Sequence, residues 1–177
     1  TGLTVVDLGG SQYHSAGSQS FTGPVVLLGN ETLTADTGGI GFGNSIDSAA
    51  GHTYALSLVA ASGLVSLGGS VGATTELASL AVDPAAIVLG GSTYHTAGDQ
   101  TYSVGVTLGS NVTLTSDAGN ISFLGTVDGG FALAGSAVSG TLSAGGVIGA
   151  QTALTSLTLD GQTVSLSGIG SAGTAGV

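Results

Sequence analysis

Two histidines, His14 and His95, occupy equivalent positions in a repeated Ser-x-Tyr-His-x-Ala-Gly motif. Neutral imidazole is the commonest metal ligand in proteins, which makes the pair a candidate metal site. If four coils of a stacked structure separate them, however, they lie roughly 19 Å apart and cannot share an ion. The third histidine, His52, has no equivalent. The pattern therefore favours solvent-facing turn residues over metal ligands.

Aspartates beside predicted turns are the candidates for calcium binding, because stacked Asp and Asn turns supply the oxygen ligands that this ion takes. The four candidates are Asp36, Asp47, Asp117 and Asp128. The Gly-Gly-x-Gly-x-Asp nonapeptide typical of calcium-binding β-rolls does not occur. Calcium is thus the one cofactor that the sequence suggests. The alternative interpretation is that these aspartates form turns.

The same aspartates bear on catalysis. Asp36/Asp117, Asp47/Asp128 and Asp83/Asp160 are equivalent pairs. Catalytic carboxylates need a paired, asymmetric environment that separates two pKa values. Carboxylates repeated beside turns are instead explained by Asx-turn hydrogen bonds. No catalytic residue is predicted, and we expect the protein not to be an enzyme.

Three Asn-x-Ser/Thr sequons begin at Asn30, Asn111 and Asn120 and are candidate glycosylation sites. Asn30 and Asn111 are repeat equivalents, so repetition alone accounts for two of the three sequons.

The composition restricts the partners of the chain. Its 177 residues include no Lys and no Arg, and the formal net charge is −10. Such a surface repels nucleic acid and anionic lipid because it carries nothing to neutralise phosphate. No apolar run reaches the roughly 18 residues of a membrane span, so membrane insertion is not expected. Cys is absent as well, so disulfides are excluded.

The sequence repeats itself with a period of about 80 residues. Residues 8–47 align with 89–128 without gaps, and residues 52–83 align with 129–160. This divides the chain into a first copy (1–83), a second copy (84–160) and the start of a third (161–177), within one continuous rod. Because the array is cut inside a repeat, we expect either continuation of the same chain or end-to-end self-association.

Short strands and turns fill each copy. Alternating, β-branched stretches predict strands at 100–108, 111–116, 120–123 and 154–159. Asp-Ala-Gly-Asn (117–120) and Asp-Gly-Gly (128–130) predict turns between strands. No sustained helical periodicity is present, so the fold class is all-β.

Two architectures fit such a repeat: a right-handed parallel β-helix, and a string of immunoglobulin-like sandwiches. Gly at 34 residues, no Trp and only eight aromatics suit stacked coils better than a sandwich core. The β-helix predicts four coils of about 20 residues per copy and a rod of about nine coils, roughly 40 Å long. It also predicts equivalent faces for three aromatic pairs. These are Phe42/Phe123, Phe21/Tyr102 and Tyr54/Phe131.

The stretch from Gln100 to Gly161, and its counterpart from Gln19 to Asp83, resembles the tandem repeats of filamentous-haemagglutinin-like and giant repetitive bacterial surface adhesins. The resemblance rests on Gln-Thr-Tyr, on Val-Thr-Leu-Gly, on Thr-Leu-Thr-Ser and on a later Val-Asp-Gly. It implies secretion, an extracellular or cell-surface location, a β-helical shaft and a role in adhesion.

The leading functional prediction is a structural shaft or fibre segment of a secreted adhesin or extracellular filament. The alternative is a solenoid module that binds polysaccharide or another host-surface ligand through Ser/Thr faces. Ice binding is disfavoured because Thr-x-Thr recurs only at 32–34 and 113–115, once per copy.

Overall fold

The computed structural model describes residues 4–170 and shows an all-β chain without a helix in that part. Its strands stack in parallel into a right-handed β-solenoid of about 8 turns, in keeping with the right-handed crossover that parallel strands prefer. At the usual inter-strand spacing the rod is roughly 38 Å long. The β-helix prediction is confirmed, and the sandwich alternative is wrong because every strand pair is parallel rather than antiparallel. The described part of the third copy ends at Gly170, and residues 171–177 lie outside it.

Seventeen strands follow one another along residues 4–170. They are β1 (Val6–Leu8), β2 (Gln12–Ser15), β3 (Gln19–Phe21), β4 (Val25–Leu27), β5 (Glu31–Ala35), β6 (Ile40–Phe42), β7 (Ile46–Ser48), β8 (Ala55–Leu67), β9 (Ser79–Leu89), β10 (Thr93–Thr96), β11 (Gln100–Tyr102), β12 (Val106–Leu108), β13 (Val112–Ser116), β14 (Ile121–Phe123), β15 (Val127–Asp128), β16 (Ala132–Ile148) and β17 (Ser156–Ile169).

Each coil has three strand positions, which define three faces. The first face holds β1, β4, β7, β10, β13 and the starts of β16 and β17. The second face holds β2, β5, the starts of β8 and β9, then β11, β14 and the middle parts of β16 and β17. The third face holds β3, β6, the ends of β8 and β9, β12, β15 and the ends of β16 and β17.

The core is a column of aliphatic and aromatic side chains that runs along the axis. Strands such as β5 alternate buried and half-buried residues, because successive side chains of a strand point to opposite sides. Leu33, for example, is fully buried between Tyr13 of the preceding coil and Leu58 of the next. Thr32 and Thr34 flank it and point outward, as the Thr-Leu-Thr pattern predicts.

The coil is longer than predicted and does not divide the sequence repeat evenly. Tyr13 stacks through Leu33, Leu58 and Val82 onto Tyr102, so four coils take 89 residues. The sequence repeat instead maps Tyr13 onto Tyr94, 81 residues away. Tyr94 lies in β10 on the first face, one strand before Tyr102. Each copy therefore covers eleven strand positions rather than twelve, with the long strands β8 and β9 counted at each face that they cross and Val71 counted on the first face.

The prediction that equivalent aromatics share a face is therefore wrong. Phe21 and Phe42 lie on the third face, whereas Tyr102 and Phe123 lie on the second. Tyr54 and Phe131 are displaced in the same sense, since Tyr54 precedes a second-face strand and Phe131 a first-face strand. Whole coils are not inserted between copies, so equivalent residues are rotated by a third of a turn.

The predicted strand over residues 100–108 is two strands. A corner at residues 103–105 separates β11 on the second face from β12 on the third. The apolar alternation passes through this corner without a break, so periodicity alone did not show it. The predictions at 111–116 and 120–123 match β13 and β14, and 154–159 overlaps the start of β17.

Candidate functional site

The Ser-x-Tyr-His motif builds a corner of the solenoid. In the first copy, the backbone N–H groups of Gly9 and Gly10 each donate to the Tyr13 hydroxyl at 3.1 Å. In the second copy, the Gly91 N–H donates to the buried Tyr94 hydroxyl, which donates in turn to the Leu67 carbonyl at 3.1 Å. Burial raises the pKa of Tyr94, so the phenol stays a donor. The tyrosine of this motif is structural.

A glutamine six residues after each tyrosine ties neighbouring coils together. Gln100 is fully buried, and its Nε2 donates to the carbonyl oxygens of Tyr94 and Thr115 at 3.1 and 2.8 Å. Its Oε1 accepts from the Tyr102 hydroxyl at 3.0 Å. Gln19 makes the equivalent pair of carbonyl contacts in the first copy. These amides satisfy backbone groups that would otherwise be buried without partners.

Asp47 and Asp128 accept backbone hydrogen bonds from the coil that follows. Asp47 Oδ1 accepts from the N–H groups of Thr74 and Thr75 at 2.8 and 3.2 Å. Asp128 Oδ1 accepts from Gln151 and Thr152 at 2.6 and 3.1 Å. Both carboxylates are thus used to hold a turn, as the Asx interpretation predicts, although the turn lies one coil further along.

The three sequon asparagines also bridge successive coils. Asn30 Oδ1 accepts from the Ala55 N–H at 2.9 Å, and its equivalent Asn111 accepts from Ala132 at 3.0 Å. Asn120 Oδ1 accepts from Thr141 at 2.9 Å. All three side chains are exposed corner residues. Their shared geometry gives them a structural role, and glycosylation stays a prediction.

His14 and His95 lie in strands and point outward, whereas His52 lies between β7 and β8. His14, in β2, places Nε2 2.8 Å from Asp36 Oδ1 of the next coil. His95, in β10, places Nε2 3.2 Å from Asp117 Oδ1 of the next coil and 3.2 Å from Glu76 Oε2 of the preceding one. The prediction that both histidines occupy turns is wrong, because both lie within strands. Their side chains point outward because successive side chains of a strand point to opposite sides.

Among residues 4–170, Glu76, His95 and Asp117 are the one group of three side chains whose ligand atoms could hold a metal ion. These three residues are named the His95 cluster. The structure does not gather the four aspartates predicted for calcium, since two contact histidines and two hold turns. Calcium at those aspartates stays a prediction.

Glu31 is a buried carboxylate in the core of the second coil. It is 2% exposed, and neither carboxylate oxygen has a hydrogen bond of good geometry. Burial raises the pKa of Glu31, and the backbone N–H of Ser11 opposes part of that effect. The equivalent residue in the second copy is Val112, so this strand position is an ordinary core position.

The described part of the rod ends in an apolar opening at its C-terminal side. A cavity of about 380 Å³ lies there, lined by Ile148, Leu154, Leu157 and Ile169 among others. Within residues 4–170, β17 pairs only with β16, so its other edge is free in that part of the chain. Inward residues such as Leu166 are only half-buried on this coil.

Sequence reasoning missed Glu76 and Glu31. Glu76 lies in a segment with weak strand character and has no acidic equivalent, since the second copy has Ala153. Its only signal was the alignment itself, in which an acidic residue replaces a small apolar one. The same comparison shows that Glu31 stands where the second copy has the apolar residue Val112.

No protein-family model, curated protein or solved structure matches this chain. In the described residues, no helix of the length and hydrophobicity needed to cross a membrane is found.

Proposed function

We propose that this chain is a segment of the structural shaft of a secreted bacterial adhesin or extracellular filament. The observation that supports this most is the use to which its polar side chains are put. Gln19, Asp47 and Asn30, with their equivalents Gln100, Asp128 and Asn111, bind backbone groups of neighbouring coils. Polar side chains that hold neighbouring coils together are expected in a structural rod rather than in a catalytic cleft.

The surface charge supports an extracellular rod that stays dispersed. A formal charge of −10 with no Lys or Arg makes rods repel each other laterally. Axial contact remains open, because the C-terminal opening presents apolar side chains and, among residues 4–170, the outer edge of β17 has no paired strand. A free edge pairs readily with another strand. We therefore propose that this end is covered by a further coil, supplied by continuation of the same chain or by another copy stacked end to end.

The aromatic side chains give less support to polysaccharide binding. Sugar-binding surfaces use exposed rings, whereas four of the rings here are buried: Phe42, Tyr94, Tyr102 and Phe123. Phe131 is exposed, at 37%. The Thr-x-Thr pairs also fail to stack on one another. Thr32 and Thr34 lie beside Gln12 and His14 on one side and beside Ser57 and Val59 on the other.

The shaft proposal is tested by imaging and by surface labelling. Negative-stain microscopy of the polypeptide with its native flanking sequence should show a straight rod that lengthens by roughly 4.8 Å per coil. Antibodies against the 177-residue segment should label intact cells of the source organism. Beaded particles, or labelling only after permeabilisation, would contradict the proposal.

The end contact is tested separately by sedimentation of the isolated segment over a range of concentrations. We expect head-to-tail oligomers whose size increases with concentration, as a heterologous contact requires. Leu157→Asp and Ile169→Asp, at the C-terminal opening, should suppress them, while Val138→Asp on an exposed lateral position should not. A folded monomer at all concentrations, with neither end covered, would contradict the proposed account of the ends.

A further inference from the structure

The His95 cluster joins three successive coils on the first face. Asp117 follows β13 and Glu76 precedes the start of β9, while His95 lies in β10 between them. The two contacts to His95 Nε2 are both 3.2 Å. Zinc bonds of about 2.0–2.1 Å at tetrahedral angles separate neighbouring ligand atoms by roughly 3.3 Å. The nitrogen is thus already at ligand distance from both carboxylates.

A local enlargement of one coil places Glu76 in the cluster. Val71 pairs with Tyr94, and Leu77 pairs with Thr96, so the whole segment 72–76 lies opposite the single residue His95. Gly72 begins this segment at φ 67°, a conformation that favours glycine. The inserted residues leave the stacked column and return at Leu77, which puts Glu76 directly before a buried core position beside the imidazole.

The charges of the cluster call for a cation. Two carboxylates have their ligand oxygens within 4.8 Å of each other, so their like charges repel and a cation bound between them would be favoured. The chain has no Lys and no Arg anywhere to supply it. One divalent cation neutralises both carboxylates and accepts the imidazole nitrogen as a third ligand. The side chains are one-third to one-half exposed, so an ion has access from solvent.

The first copy provides a natural comparison. His14 and Asp36 repeat the His–Asp contact at 2.8 Å, and among the described residues no third carboxylate joins them. A two-residue contact of this kind is explained as a hydrogen bond between exposed groups. The contact in the second copy differs because Glu76, near the end of the first copy, lies against His95 from the preceding coil and makes a three-ligand group.

We propose that Glu76 Oε2, His95 Nε2 and Asp117 Oδ1 form a binding site for a divalent transition-metal ion of the zinc type. Imidazole with two carboxylates suits Zn²⁺ and its neighbours, whereas Ca²⁺ and Mg²⁺ take oxygen ligands only. Three protein ligands leave one tetrahedral position for water. The ion clips three coils together across the enlarged segment 72–76, so its role is to fix this part of the rod.

The test is calorimetric titration of chelator-treated protein with ZnCl₂, paired with thermal unfolding. We expect one equivalent to bind at neutral pH and to raise the unfolding temperature, because an ion that binds only the folded state stabilises it. CoCl₂ should give the strong visible absorption of a four-coordinate site. CaCl₂ should not replace ZnCl₂ at this site, because Ca²⁺ takes oxygen ligands only. Affinity should fall in acid, because protons compete with the metal ion for its ligand atoms.

Variants assign the site. Loss of an outer-shell partner alone costs about 10–100-fold in metal affinity, so Glu76→Gln, His95→Gln and Asp117→Asn should each weaken binding by at least about 100-fold. His14→Gln and Asp36→Asn are the matched controls and should leave affinity unchanged. Far-UV circular dichroism checks that each variant keeps its β-structure. Absence of zinc binding, binding unchanged in the three cluster variants, or equal loss in the His14→Gln control would overturn the proposal.

Discussion

Phe42 and Phe123 are repeat equivalents that lie on different faces of the solenoid. Phe42 stacks on Phe21 on the third face, with ring centroids 4.8 Å apart, and Phe123 stacks on Tyr102 on the second face at 5.0 Å. The same stack is thus built twice, a third of a turn apart. Because a copy covers eleven strand positions and a coil has three, only every third copy returns to the same face. A longer array of such copies would display any copy-specific feature along a helical path around the rod.

Buried aromatic rings should contribute more to the stability of the folded protein than partly exposed ones. Phe123 is 1% exposed, so Phe123→Ala removes a buried ring and should destabilise the protein by about 3–5 kcal/mol. Phe131→Ala, at a ring that is 37% exposed, is the control and should cost clearly less. Urea unfolding followed by circular dichroism measures both. Similar losses for the two variants would show that the Tyr102–Phe123 stack is not a central part of the core.

The coil-to-coil aspartates give a second test. Asp128→Ala removes two backbone hydrogen bonds, from Gln151 and Thr152, and should cost about 1–2 kcal/mol, as loss of a capping carboxylate does. Asp128→Asn keeps an oxygen acceptor in place and should lose less than half of that. The same ordering is expected at Asp47. Chemical denaturation provides the values. If the Asn variant lost as much as the Ala variant, the charge rather than the acceptor would be what stabilises the turn.

The sequence predicts the architecture because the signals that specify a β-solenoid are local. Thr-Leu-Thr alternation, turn residues after short strands and the 80-residue repeat are all visible without contacts. The face assignment is not, since it depends on how many residues each corner takes. Residues 103–105 form a corner with no marked change in pattern, and residues 72–76 lengthen one coil opposite the single residue His95.

The site was predicted less well than the fold. Asp47 and Asp128 were recognised as turn residues, yet their partners lie 23–28 residues away and follow only from the coil length. Glu76 and His95 are brought together by the stacking of two coils, and no spacing rule links them. Proximity in a solenoid is set by register, which the sequence does not state directly.

Glu31 should lower the stability of the folded protein at neutral pH, compared with the valine that occupies the equivalent position of the second copy. Burial raises the pKa of this carboxyl in the folded state above its value in the unfolded chain. The folded state then binds more protons, so stability falls as pH rises from the unfolded pKa to the folded one, and the cost is complete above that window. Glu31→Val copies the second-copy residue Val112 and should stabilise the protein at pH 7 by about 1–3 kcal/mol.

The reciprocal variant and a pH series complete this test. Val112→Glu should destabilise the protein at pH 7 by a comparable amount, because Val112 is 2% exposed. The gain from Glu31→Val should shrink as the pH falls below the folded pKa, since the protonated wild-type side chain no longer carries a buried charge. Stability curves measured from pH 4 to pH 8 check this. A pH-independent gain would mean that packing, and not the charge, distinguishes the two residues.

The last prediction concerns glycines where successive coils touch at a corner. A Cβ at Gly63 would overlap the carbonyl oxygen of Gly38 in the preceding coil, and a Cβ at Gly140 would overlap that of Gly119. Gly63→Ala and Gly140→Ala therefore force the backbones of two coils apart and should each cost about 2–3 kcal/mol. Gly41, in β6, has no neighbouring atom within 4 Å of its would-be Cβ and is the control. Gly41→Ala should change stability by less than about 1 kcal/mol, toward stabilisation, because alanine lowers the entropy of the unfolded chain.

Thermal unfolding and hydrogen exchange at the corner amides measure the effects, and exchange should accelerate on both coils in Gly63→Ala. If Gly63→Ala and Gly41→Ala were equally stable, the coils would not be in contact at this corner, and the stacking described here would be wrong at that point.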